Sequence, residues 1–337
     1  MPDNTKKYNY CLDFIKGIAC ILVVFMHCEF PGILGTAVQA VSRFCVPLFF
    51  MVSGYFCYFV STESPDISSK MIKKIKHVGK ITLFACLAYI AFDIVQYFIF
   101  DRSVFTFSKG SLLNLIIFNQ PFIVAGQYWF LFALLYDYIL FALILKFRII
   151  KYVYIIAFGM IAVYIALAQG AHLLGIHIPN CYYRNFLIEG LCFFVMGNWI
   201  HLQQCKLKFT PGGGGGGVLT IAVVCSVLCL LERYVMGRDF GVNIMTFPQV
   251  FCLFLYAVNN PDKHAGIIQT IGKRYSMFVY IIHPIVWHSM EYVYDSCALS
   301  QNTLALYIMP LIVVSLTLLV SHNIYYAKNS SYLSIHR

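Results

Sequence analysis

Charge is what this sequence is short of. Asp, Glu, Lys and Arg make up 11% of its 337 residues, and only 14 are acidic. A soluble domain carries about 25% charged residues, so the two soluble domains that length alone allows are excluded by composition. The 13 cysteines include no Cys-x-x-Cys pair, which argues against a zinc or thioredoxin-type site. Most of them fall inside apolar runs, where cysteine serves as a small apolar packer. His172 and His177 are five apart, a poor spacing for one metal on a helix, and read as solvated. No metal site is expected. No small-residue cleavage site follows the first apolar run, which is therefore expected to stay as an anchor. Neither an internal repeat nor the inverted halves of many transporters is visible.

What is present is apolar surface: 60% of the residues are hydrophobic and the mean hydropathy is +0.76. The class is all-α, a polytopic integral membrane protein, with 1–337 as one membrane domain. At about 20 residues per crossing, ten spans are expected, at 11–30, 42–60, 78–100, 126–145, 150–168, 184–202, 217–232, 241–258, 275–291 and 303–326. With the N-terminus inside, 17 of the 24 Lys and Arg fall on the cytosolic side and six outside, Lys16 lying within the first span. That asymmetry places both termini in the cytosol. The net charge of +10 then reflects basic cytosolic loops, and no nucleic-acid partner is expected. The outer connection 101–125 carries a second apolar patch, "LLNLIIFNQPF", which either lies along the interface or dips into the bundle. The inner loop 206–217 contains the glycine run Gly212–Gly217, expected to act as a flexible linker.

Polar groups inside an apolar span are expensive and usually functional. The stretch "LDFIKGIACILVVFMH", Leu12–His27, holds three. His27 follows Lys16 by 11 residues, about 20° beyond three full turns and about 16 Å of rise. Both side chains therefore share one face, and Asp13, three residues before Lys16, can pair with it. These groups read either as interfacial residues snorkelling to the two surfaces or as a cation and a base held at fixed separation.

The same stretch resembles the first helix of the acyltransferase family 3 membrane proteins, whose signature is an arginine, ten residues, then a catalytic histidine. "RFCVPLFFMVSGYF" (Arg43–Phe56), "QYWFLFALL", "YRNFLIEGLCFFVMGNWI" and "IGKRYSMFVYIIHP" are similar to later blocks of that family, in order from residue 12 to 284. Lysine stands here in the arginine position. A lysine is a point charge where arginine offers a planar fork, so the charge is retained and the bidentate grip is not. No fused racemase or hydrolase, present in some relatives, is expected from the roughly ten residues after the last span.

The resemblance implies an acyl-CoA-dependent O-acyltransferase, commonly an O-acetyltransferase. It would act on a hydroxyl of a surface glycan or lipid-linked sugar, in a bacterial plasma membrane. No tightly bound cofactor is implied; acyl-CoA is the donor substrate. Lys16 would hold a phosphate or the start of the pantetheine arm, with Asp13 as its partner, and His27 would act as general base. Arg43, at the outer start of the second span, reads as an oxyanion or acceptor group or as an interfacial anchor. Ser53, with Gly54, reads as a ligand contact or as tight helix packing. Glu189 orients the histidine or pairs with Arg184, itself an acceptor-side cation. His283, before Pro284, lines the acceptor side or hydrogen-bonds a carbonyl freed by the proline. Asp93 and Asp137 read as polar joints between helices, and Trp129 as an interfacial belt residue. The rival reading is a carrier that moves a small solute such as serine along the same polar track, as the related membrane domain of vancomycin-resistance serine racemases is thought to do.

Overall fold

The computed structural model describes residues 8–58, 66–100, 108–121, 126–204, 206–208 and 215–335. In chain order its helices are α1 (Tyr10–His27), α2 (Gly32–Ser42), α3 (Cys45–Tyr55), α4 (Asp66–Phe100), α5 (Lys109–Phe118), α6 (Trp129–Lys146) and α7 (Ile150–Ile165). They continue as α8 (Ala171–Leu173), α9 (Leu191–Gln203), α10 (Gly215–Met236), α11 (Thr246–Asn259), α12 (Ile267–Thr270), α13 (Ser276–Ser296) and α14 (Thr303–Ile335). Three π-helical turns, Ala166–Gly170, Phe186–Gly190 and Ile271–Tyr275, lead into α8, α9 and α13. Among the described residues there is no strand. The all-α, multi-pass character expected from composition is what the chain has.

Among the described residues, eight helical stretches are long and apolar enough to cross a membrane. They coincide with eight of the ten expected spans. The other two expectations fall on α11, 14 residues long, and on α13, whose first half carries the apolar run and whose second half carries His288, Glu291 and Asp295. The patch in 101–125 becomes α5, ten residues capped by Ser108 and closed by Asn119 in the left-handed region; about 15 Å of helix is too short to span.

Three boundaries differ from the sequence reading. The second span starts at Gly32 rather than 42 and breaks at Arg43–Phe44, between α2 and α3. Pro47, in the first turn of α3, has no N–H for the Arg43 carbonyl, which favours a break there. Arg43 therefore sits at a mid-span break rather than at the start of the span. The third span begins at Asp66, because its lysine-rich segment is helical; lysine is a good helix former. The glycine run continues into α10, whose first turn is Gly215–Gly217; positions 209–214 lie outside the described residues.

The chain forms two units, Met1–Leu48 with Gln204–Arg337, and Phe49–Gln203. In the first, α1 is fastened at its start by Asn9, whose side chain caps Leu12 N–H and donates to the Ala257 carbonyl at 2.9 Å. In the second, α3 crosses α9 at backbone distance. A Cβ on Gly54 would lie 1.7 Å from the Phe194 carbonyl oxygen, and one on Gly197 2.0 Å from that of Met51. Between helices in lipid the driving force is close packing rather than water exclusion, which favours such small residues.

Candidate functional site

His27 is the last residue of α1, and the Cys28 N–H closes the helix behind it on the Val24 carbonyl at 2.8 Å. Its ring stacks on that of His283, with centroids 5.3 Å apart and planes 28° from parallel, and the Trp287 ring lies 6.3 Å away. His283 is fully buried, and its Nδ1 lies 3.1 Å from the Val279 carbonyl oxygen. A carbonyl can only accept, so Nδ1 carries the hydrogen and Nε2 presents a lone pair. That Nε2 is buried and has no hydrogen-bond partner among the described residues. Further along α13, His288 stacks on Trp287 with centroids 4.4 Å apart, and its Nδ1 meets Glu291 Oε2 at 2.9 Å.

At the other end of α1, Lys16 Nζ lies 2.8 Å from Asp13 Oδ1, and both side chains are mostly shielded. The Tyr8 hydroxyl donates to the second oxygen of Asp13. Partial burial and then the Asp13 carboxylate push the Tyr8 phenol up from its ordinary value, so at neutral pH it stays a donor. Lys273 sits 4.2 Å above the Tyr8 ring. Nearby, Phe14 stacks on His264 at 4.8 Å, the Tyr256 hydroxyl meets His264 Nε2 at 2.9 Å, and Lys263 lies over the Tyr256 ring. Three lysines, 16, 263 and 273, thus gather around the first turns of α1, with the Asp13 carboxylate beside Lys16.

A glycine-to-backbone crossing holds this end together. A Cβ on Gly17 would fall 2.0 Å from the Ile268 carbonyl oxygen, and one on Gly272 1.8 Å from that of Asp13. No side chain fits at either position, so α1 and the α12–α13 segment meet backbone to backbone directly beside Lys16. Gly272 belongs to the π-helical turn Ile271–Tyr275, a distortion frequent at functional sites.

The remaining expected site residues separate by unit. Arg43 is buried and paired with Asp239 in the first unit. In the second, the Ser53 hydroxyl donates to the Phe49 carbonyl at 2.9 Å, one turn back, beside the Gly54 crossing. Arg184 lies over the Trp129 ring at 4.8 Å. Trp129 is itself buried against Phe50, so the interfacial-belt reading does not hold. Glu189 is buried inside the turn Phe186–Gly190, which Asn185 caps and Asn119 anchors by accepting from the Phe186 N–H at 2.8 Å. Asp137 is fully buried and, among the described residues, neither carboxyl oxygen has a hydrogen-bond partner. The polar joint expected of it is not made among the described residues. It faces Gly190, where a Cβ would come within 2.4 Å of Oδ2.

Within the first unit the fold brings together His27 with His283, and Asp13 with Lys16. Sequence reasoning did not single out Trp287, Glu291, Asp239, Lys263 or Lys273 as site residues. Lys273 had a signal, its place in "IGKRYSMFVYIIHP", and Asp239 had none, since nothing local ties it to Arg43 196 residues away.

A family model described as an acyltransferase domain, of the acyltransferase 3 type, matches residues 9–323. No curated protein and no solved structure matches the chain.

Proposed function

Since the chain belongs to the acyltransferase 3 family, being matched over nearly its whole length, we propose that it is a membrane O-acyltransferase. In this reading it moves an acyl group, acetyl foremost, from cytosolic acyl-CoA to a hydroxyl of a surface glycan or lipid-linked sugar. Its setting is a bacterial plasma membrane, with both termini cytosolic. The observation that carries this reading is the stack of His27 on His283, with a lysine-rich end about 16 Å away along the same helix.

In the proposed reaction His27 takes the proton of the acceptor hydroxyl as its oxygen attacks the thioester carbonyl. The tetrahedral adduct collapses with cleavage of the C–S bond, and the proton passes to the departing CoA sulfur. Atoms and charge balance without any further reactant. Lys16, Lys263 and Lys273 offer point charges for phosphate, Asp13 and Tyr8 fixing Lys16 and Lys273 in place. The bare Nε2 of His283 supplies an acceptor beside the base, suited to an acceptor hydroxyl. Arg43, Ser53, Arg184 and Glu189 are proposed as further acceptor-side residues.

The test is release of free CoA thiol by purified protein given radiolabelled acetyl-CoA, beside His27→Ala. Loss of release in the variant with donor still bound supports the proposal. It falls if wild-type protein neither binds nor turns over acyl-CoA while reconstituted vesicles accumulate serine or another solute.

A further inference from the structure

The helix α4 carries a run of basic residues in its first four turns: Lys70, Lys73, Lys74, Lys76, His77 and Lys80. Its buried residues are Ile67, Met71, Val78, Thr82, Ala85 and Tyr89. At 100° per residue and with Lys70 at 0°, those six lie between about 60° and 120°. Lys70, His77, Lys73, Lys80 and Lys76 lie between about 240° and 360°, centred opposite the packed face, and all five are exposed. Lys74 alone turns inward, to within 5.9 Å of the Tyr138 ring centroid.

The basic stripe continues as an apolar one on the same face. Seven residues after His77, Lys80 and Lys76 come Phe84, Leu87 and Leu83, which are 62%, 58% and 61% exposed. Side chains so apolar and so exposed on a spanning helix face lipid tails. From Ile81 to Phe100 the helix rises about 30 Å, the thickness of the hydrocarbon. Residues 66–80 are left beyond it, at headgroup depth and above. No acidic residue follows Asp66 on α4 until Asp93.

We infer that Lys70, Lys73, Lys76 and Lys80 form a docking stripe for anionic phospholipid headgroups in the leaflet where α4 begins, and that they take no part in holding a nucleotide substrate. The ligand chemistry is a lipid phosphodiester with net negative charge. Juxtamembrane lysine clusters bind such surfaces additively and in a salt-dependent way. A free nucleotide phosphate would demand convergent cations, and these four splay outward from the packed face. The lipid-binding part of the inference stands apart from the acyl-transfer reading, and the part that concerns the nucleotide rests on it.

Full-length protein would be reconstituted in phosphatidylcholine vesicles containing spin-labelled phosphatidylglycerol or phosphatidylcholine. The motionally restricted fraction gives the relative association of the two lipids. Wild type should prefer the anionic lipid by about threefold or more at low salt. K70Q/K73Q/K76Q/K80Q should bring that ratio to about one, and the matching quadruple arginine variant should keep it. In lipid-free detergent, acetyl-CoA should bind the glutamine variant no more weakly than wild type. An unchanged lipid ratio in the glutamine variant overturns the inference. So does a loss of acetyl-CoA affinity in detergent, which would assign the stripe to a nucleotide instead.

Discussion

His27 and His283 come from helices 256 residues apart in the chain and lie ring on ring at 5.3 Å. One of them, His283, has its tautomer set by the Val279 carbonyl and its Nε2 left bare in a fully buried position. In the proposed reaction, two imidazoles so placed share one proton-accepting task between a reacting base and a fixed neighbour. His27→Ala should lower the rate of CoA release by about 10²–10⁴-fold, the usual range for a general base. His283→Ala should lower it less, and chiefly through the acceptor's KM. Steady-state CoA release against acceptor concentration checks both; equal losses in kcat from the two variants would refute the division of roles.

Lys16 is held by Asp13 at 2.8 Å and shares its end of α1 with Lys273, which stands over Tyr8. Replacing Lys16 by alanine should raise the Kd for acyl-CoA about tenfold, the equivalent of about 1.4 kcal/mol, and leave the bound-state rate nearly unchanged. Lys16→Arg should bind donor at least as well, because it keeps the charge and adds a fork. Donor affinity by calorimetry decides it, and an unaltered Kd in Lys16→Ala removes the lysine from the donor site.

Where Gly17 meets Ile268 and Gly272 meets Asp13, an added methyl would stand about 2 Å from a carbonyl oxygen. Backbone has to move, since neither obstacle is a flexible side-chain end. Gly17→Ala and Gly272→Ala should each destabilise by about 1–3 kcal/mol or more and lower thermal stability in detergent. Gly159→Ala is the control, because a Cβ there has nothing within 4 Å. If all three variants melt alike, the crossing is not close-packed.

Gly190 and Asp137 give a pairwise test. Gly190→Ala brings a Cβ to 2.4 Å from Asp137 Oδ2, and should cost about 1–3 kcal/mol. In an Asp137→Ala background the obstacle is gone, so the same change should cost less by about 0.5–3 kcal/mol, the size of coupling between touching residues. Additive losses of thermal stability would show that the two residues do not oppose one another.

The ion pair of Arg43 with Asp239 has a buried guanidinium and a carboxylate that is about one-third exposed. Asp239→Ala takes away one hydrogen-bonded partner of the buried charge, and should destabilise by about 1.5–3 kcal/mol, the range for a hydrogen bond to a charged group. Arg43→Met should cost less, since it removes the charge that needs a partner. Chemical denaturation of the two variants ranks them, and the reverse order would show that the arginine is anchored by something other than Asp239.

Composition and periodicity were enough to determine the membrane class, the helical architecture and the placing of apolar segments, because lipid imposes length and polarity locally on every span. The face shared by Lys16 and His27 was also readable, being fixed by 11 residues of one helix. So was the pairing of Asp13 with Lys16, three residues apart. Helix ends were less legible: the lysines of α4 look like loop to a hydropathy reading, and the break at Arg43–Phe44 is favoured by a proline four residues on, although α13 and α14 run through Pro284 and Pro310. What only the tertiary structure decided were the meetings between distant segments: His27 on His283, Arg43 with Asp239, and the glycine crossings beside Lys16. It also left Asp137 without a hydrogen-bond partner among the described residues, against the expectation of a polar joint. Those relations depend on which helix packs beside which and at what height, and no local pattern in the chain encodes a neighbour 200 residues away.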